Sequence, residues 1–251
     1  MQTSERKLYT VLRRLLAAEA KRAASYVIAA LKEQGIYKAS DAGELIADGV
    51  TTEYQPTWTA RLTDEFQRLL AGAFADGSTT GTQELARVGI AFRVPFVEAE
   101  DWAGQYINKE LADLLDSGTR SLMRQLVIKA LRDGWTERKL EQQLLGQSGP
   151  FSAKRARDIA KTELAHAQNS GSLDTYNRSG VVQAVKVYDG KVKKVGEIDQ
   201  PCKDANGQTW PLEYARQNTQ QHPRCGRNFS PIVGSDFELT PASERPKGLR
   251  I

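Results

Sequence analysis

The stretch Val181-Val-Gln-Ala-Val-Lys-Val-Tyr-Asp-Gly-Lys-Val-Lys-Lys-Val195 decides the fold class, because it is where a long helical texture gives way to β-branched residues. Valines at 181, 182, 185 and 187 with Tyr188, then Val192 and Val195, suit a pleated, half-buried surface. Asp189-Gly190 between the two runs predicts a hairpin turn, since both positions of such a turn ask for a positive φ that Gly and Asp tolerate. A further short helix is expected near Leu212 to Asn218. The C-terminal region therefore reads as a small α+β domain with a β-hairpin.

Upstream of this stretch the apolar spacing is helical. Leu8, Val11, Leu12, Leu15 and Leu16, then Ala24, Val27, Ile28 and Leu31, recur at three and four residues, predicting one helix over 5–34 stopped at Gly35. Lys7, Arg13, Arg14, Lys21 and Arg22 fill the other positions and read as a solvated face. A second helix is expected over 57–75, with Trp58, Leu62, Phe66, Leu69, Leu70 and Phe74 on its apolar side. Asp76-Gly-Ser-Thr-Thr-Gly81 then reads as a break, and Val88 to Val97, interrupted by Pro95, as an extended or looped segment.

From Glu98 the helical pattern returns, through Trp102, Tyr106, Ile107, Leu111, Leu114 and Leu115 and on to Leu122, Leu126, Val127 and Leu131, closed by Gly134. Thr136 and Ser152 stand where N-caps belong, each offering a hydroxyl to unpaired first-turn amides. The fold class is α+β: predominantly helical N-terminal and middle regions, then the small C-terminal domain. The expected division is a helical region 1–97, a domain 98–234 and a loosely held tail 235–251.

Composition narrows the function classes. Hydrophobic residues at 40% and charged residues at 26% give an ordinary globular chain with a packed core. No apolar run approaches the ~18 residues a membrane span needs, and no signal peptide is evident, so folding in a cytoplasm is expected. The net charge of +4 spreads over 35 basic and 31 acidic residues, too dilute a field to prove a polyanionic partner. Basic faces such as Lys186, Lys191, Lys193 and Lys194 could touch DNA non-specifically, and are otherwise solvating. Neither a Walker sequence nor a G-x-G-x-x-G between strand and helix is present, which argues against nucleotide chemistry.

Two cysteines exclude a disulfide scaffold, so their setting must decide their role. Asp199, Cys202, His222 and Cys225 are all able to bind a divalent metal, and His222 and Cys225 are close enough to share one ion in a turn. Three readings stay open: a zinc knuckle, buried free thiols, or a disulfide. A thiol nucleophile with His222 as base and Asp199 as its orienter is a further reading, without a nucleophile signature around it. Glu163 and His166, at i and i+3, match a spacing used by metal sites in helical bundles, though a satisfied pair explains it as well.

The order of these elements resembles the phage Mu F-like head morphogenesis family. It is carried by Phe151 to Glu163, with Arg155-Ala-x-x-Ile159-Ala-x-Thr-Glu163, then Ala167, Asn169, Tyr176 and Gly180, a valine-rich strand, Asp199-x-x-Cys202, Gly207 and His222-Pro-x-Cys225 with Arg227 and Pro231. The likeness covers roughly Trp102 to Val233. It implies structural roles for Arg155, Ile159, Glu163 and Asn169. It implies a virion component and not an enzyme: a minor head protein made in the host cytoplasm and incorporated at the head interior or portal vertex. The partners implied are portal and major capsid proteins, with packaged double-stranded DNA touched non-specifically and no membrane. The chain departs from the fuller pattern at Ala205 and Arg227, which stand where further cysteines are often found. The alternatives are a toxin or hydrolase carrying such a domain, and a non-specific DNA-binding module.

Overall fold

The computed structural model describes residues 3–33, 43–57, 62, 64–92, 98–146, 150–189 and 200–246. Among them run helices α1 (Thr3–Glu33), α2 (Gly43–Glu53), α3 (Asp64–Arg87), α4 (Glu98–Tyr106), α5 (Ala112–Arg132), α6 (Glu137–Leu145) and α7 (Ala153–Ser179). Strand β1 (Val182–Tyr188), helix α8 (Gln200–Ala205), strand β2 (Thr209–Pro211), helix α9 (Leu212–Gln217) and strand β3 (Asn228–Val233) follow. The architecture is α+β. No helix among the described residues is long and apolar enough to cross a membrane.

The chain forms two compact units, Met1–Phe66 with Gln105–Ala160, and Gln67–Gly104 with Lys161–Ile251. In the first unit α1 buries Leu8, Val11, Leu12, Leu16, Ala23, Ala24 and Val27, the three-and-four stripe its sequence predicts. It packs on α6 and α2, and α2 packs on α5. Glu19 is buried within this apolar stripe because it is used as an acceptor: the Tyr54 hydroxyl, the Thr57 amide (3.1 Å) and the Thr57 hydroxyl (2.9 Å) all donate to it. Both predicted caps form, with Lys139 N donating to Thr136 Oγ1 at 3.3 Å and Arg155 N to Ser152 Oγ at 3.1 Å. A π-helical segment, Ile107–Leu111, joins α4 to α5.

In the second unit one expectation is overturned. Residues 76–81 do not break the chain; they lie inside α3. Gly77 and Gly81 serve instead as the seat of a close helix crossing. A Cβ at Gly77 would stand 1.9 Å from the Gln168 carbonyl oxygen of α7, and one at Gly171 of α7 would stand 1.9 Å from that of Phe74. The hydroxyls beside these glycines bind the backbone opposite: Ser172 Oγ donates to Gly77 O (2.8 Å) and Ser78 Oγ to Gly171 O (3.3 Å), while Thr175 Oγ1 donates to Gly171 O of its own helix (2.9 Å). A cluster of small and polar residues is thus read locally as a turn but is used here to let two backbones touch. The helix expected over 57–75 begins only at Asp64, with Leu62 outside it and Trp58 outside the described residues.

The sheet has the order β2-β1-β3, antiparallel throughout. Val185 lies opposite Trp210 on one side and Pro231 on the other, so both edges of β1 are occupied over Ala184 to Lys186. The partners of β1 therefore come from distant segments, β2 and β3. The expected return strand of a hairpin, Val192 to Val195, lies outside the described residues, as do Gly190, Lys191, Lys193 and Lys194. Val182, Val185, Val187, Trp210, Leu212 and Phe229 bury one core together with Leu85 of α3 and Leu173 and Tyr176 of α7. Residues 240–246 run beside β2: Thr240 N donates to Thr209 O (2.9 Å), Thr209 N to Thr240 Oγ1 (3.0 Å) and the Tyr214 hydroxyl to Pro246 O (3.0 Å).

Candidate metal centre

His222-Pro-Arg-Cys225 forms a tight turn closed by Cys225 N donating to His222 O at 3.1 Å. Proline at the second position presets φ, and Arg224 at the third takes a φ of 65° in the left-handed region. Arg224 N is held by Thr162 Oγ1 of α7 at 2.9 Å, which helps fix this costly conformation. The turn directs His222 and Cys225 to one place, and α8 brings Cys202 to the same place. Cys202 Sγ lies 3.1 Å from His222 Nε2 and 4.0 Å from Cys225 Sγ. The three ligand atoms all fall within 4.8 Å of one another, and both cysteines are free and buried.

These separations suit one divalent ion. Sulfurs ~2.3 Å and a nitrogen ~2.0 Å from a tetrahedral centre stand about 3.5–3.8 Å apart, between the two distances found. The imidazole is also set in the tautomer a metal needs. His222 Nδ1 is 2.8 Å from Pro223 O, an acceptor only, so Nδ1 carries the proton and the Nε2 lone pair faces Cys202. The same contact bears on the thiol-nucleophile reading, because the group that orients His222 is a carbonyl and not a carboxylate. Cys202, His222 and Cys225 can thus hold a metal ion. Asp199, the fourth candidate ligand, lies outside the described residues.

An ion pair that sequence reasoning missed backs the centre. Arg227 and Asp189 have side-chain exposures of 0% and 1%, and Arg227 Nε donates to Asp189 Oδ2 at 2.8 Å. Arg227 further donates to Asn218 O (3.0 Å) and Gln221 Oε1 (3.3 Å), and its guanidinium lies over the Trp210 ring, 4.8 Å from the centroid. Cys225 Sγ approaches Asp189 Oδ1 and Oδ2 at 3.6 and 3.8 Å. At the position read as a missing ligand, the chain therefore carries a cation with a role of its own. Ala205, the other such position, is simply buried in the core. Burial, the nearby Cys225 sulfur and Asp189 push the Cys202 thiol up from its ordinary value.

The residues of the family-like helix sort by neighbour. Asn169 Nδ2 donates to Thr219 O (3.1 Å) and Arg227 O (2.9 Å), tying both ends of the metal-centre loop to α7. Ile159 and Glu163 are buried. Arg155, in the first unit, donates to Thr119 Oγ1 (3.0 Å), Pro150 O (2.6 Å) and Leu115 O (3.3 Å), and burial lowers its guanidinium to about 10. His166 does not join Glu163 in a metal group: its Nδ1 meets Thr219 Oγ1 at 2.6 Å, its ring lies against Trp102, and burial lowers its imidazole to about 4. Lys186 stands within β1, paired across the sheet with Thr209 and Ser230.

No family model, curated protein or solved structure matches the chain. The reading of the centre therefore rests on its own chemistry.

Proposed function

We propose that this chain is a minor head protein of a tailed bacteriophage, acting in head morphogenesis and in DNA packaging or stabilisation near the portal. The metal it takes at Cys202, His222 and Cys225 is zinc. One observation carries the reading: the sequence elements that resemble the Mu F-like family also work together. Thr162 and Asn169 of α7 hold the turn and loop that bear His222 and Cys225, and Cys202 of the Asp-x-x-Cys element meets them. Motifs spread over more than sixty residues serve one local construction, which favours a shared architectural ancestry over chance.

Zinc suits two thiolates and an imidazole better than harder cations do, and a centre buried behind an ion pair is suited to bracing a fold. The chain's own residues would hold the ion, exclude water from two sulfurs and fix α8 against the 219–227 loop. Residues 1–97 contribute the contacts to portal or capsid subunits, and contact with packaged double-stranded DNA is non-specific.

Purified proheads test the assignment. Mass spectrometry should find the protein in them and imaging should locate it at the portal vertex; a protein found only in the soluble fraction rejects the reading. Metal analysis of purified wild type should give one zinc per chain, lost in Cys202→Ser and Cys225→Ser. Wild-type protein without zinc rejects the ion while leaving the assembly role to the prohead experiment.

A further inference from the structure

Cys202 and Cys225 lie on segments that are far apart in sequence yet bring their sulfurs to 4.0 Å, both nearly shut off from solvent at 2% and 4% exposure. A disulfide needs the sulfurs at ~2.05 Å, so each would move by about 1 Å. Each sulfur also has a different polar neighbour. Cys202 faces His222 Nε2 at 3.1 Å, whereas Cys225 faces the Asp189 carboxylate at 3.6 and 3.8 Å. The half-buried His222 gives Cys202, and not Cys225, a neighbouring imidazole nitrogen able to take a thiol proton.

We infer that, in the metal-free protein, Cys202 and Cys225 form a dithiol that a peroxide oxidises to an intramolecular disulfide. The steps balance. The Cys202 thiol gives its proton to the His222 side and its sulfur attacks one peroxide oxygen. The O–O bond breaks, Cys202 becomes a sulfenic acid, and the departing hydroxide takes up that proton as water. Cys225 then attacks the Cys202 sulfur; the S–S bond forms, the S–O bond breaks, and the Cys225 proton leaves with the hydroxide as a second water. One hydrogen peroxide is reduced to two waters as two thiols become one disulfide. This chemistry goes beyond the assembly role and does not depend on it. Only the mutual exclusion of metal and disulfide rests on the metal reading, because the same two sulfurs cannot serve both.

The test uses the full chain, stripped of metal with a chelator under reducing conditions, freed of reductant and exposed to hydrogen peroxide. Intact mass should fall by about 2 Da, both thiols should become unreactive to a thiol reagent after denaturation, and reductant should restore them. In Cys225→Ser, a dimedone adduct should accumulate at Cys202. A mass rising by about 16 or 32 Da in wild type, a chain-to-chain linked dimer, or unchanged thiols would overturn the inference. Zinc-loaded protein in the same run should keep both thiols; oxidation at the metal-free rate with zinc bound would overturn the exclusion alone.

Discussion

Two glycines five residues apart in the same helix should respond oppositely to the same substitution. At Gly77, an alanine Cβ would stand 1.9 Å from the Gln168 carbonyl oxygen, where real contacts keep at least 3.0 Å. The obstacle is backbone, so no side chain can swing aside, and α3 and α7 must separate locally by about 1 Å. That stretches the Ser172–Gly77 and Ser78–Gly171 hydrogen bonds, now 2.8 and 3.3 Å, past useful length. At ~1 kcal/mol each these bonds are worth about 2 kcal/mol, overpacking adds about 1–3 kcal/mol, and the better helix propensity of alanine returns about 1 kcal/mol. Gly77→Ala should therefore lose roughly 2–4 kcal/mol. Gly72, also in α3, is exposed with nothing within 4 Å of its Cβ position, so Gly72→Ala should gain up to about 1 kcal/mol. Urea unfolding followed by circular dichroism measures both, with a lower midpoint for the first and a higher one for the second at similar slopes. If both midpoints moved the same way, or lay within about 1 kcal/mol of each other, the backbone-contact account of α3 and α7 would be refuted.

Asp189→Asn leaves Arg227 as a buried cation without its countercharge and should cost about 3–5 kcal/mol in denaturant unfolding; a loss under 1 kcal/mol would show that Asn218 O and Gln221 suffice. His166 predicts an acid-side decline. The unfolded imidazole takes up its proton near pH 6.5, while burial holds the folded one down to about 4. Stability is thus full above pH ~6.5 and falls as pH drops toward 4, by on the order of 3 kcal/mol. His166→Asn should flatten that part of the stability–pH curve, and an unchanged curve would count against burial of a neutral ring. Arg224→Gly relieves a left-handed φ of 65° and should be neutral or stabilising by about 1 kcal/mol, with His222 and Cys225 still able to bind metal; loss of the metal would mean that the Arg224 side chain matters to the turn.

Much of the helical framework was legible because periodicity and caps are local signals. The stripe from Leu8 to Val27 and the hydroxyls of Thr136 and Ser152 each report their structure within a turn or two of chain. Helix α2 escaped notice since Gly43, Gly49, Thr51 and Thr52 are poor helix formers; packing on α5, with Arg124 paired to Asp48, makes up the deficit. The glycines of α3 misled for the converse reason: a glycine that ends a helix and one that admits a neighbouring backbone look alike until the neighbour is known. At the metal centre, ligand types at knuckle spacing identified Cys202, His222 and Cys225. The pairing of Asp189 with Arg227 could not be read, because nothing local links a carboxylate at the end of β1 to a guanidinium 38 residues later. A charged residue two positions after Cys225, where a ligand was expected, was the available clue.

Because the charges of the buried Asp189–Arg227 pair cancel, the arithmetic of metal loading falls to the two cysteines in front of it. Without metal, two thiols carry no charge and the Asp189–Arg227 pair adds none. With a divalent ion on two thiolates the sum is again zero, because two protons have left as two positive charges arrived. The interior would thus take a divalent ion at constant charge, and the exchange should release two protons per ion. Apparent affinity would then climb a hundredfold for each pH unit, a slope that collapses toward tenfold when either cysteine becomes serine. A monovalent or trivalent ion on two thiolates would leave the interior charged, so the two cysteines would select for valence two, while the Asp189–Arg227 pair, whose charges cancel, braces the site.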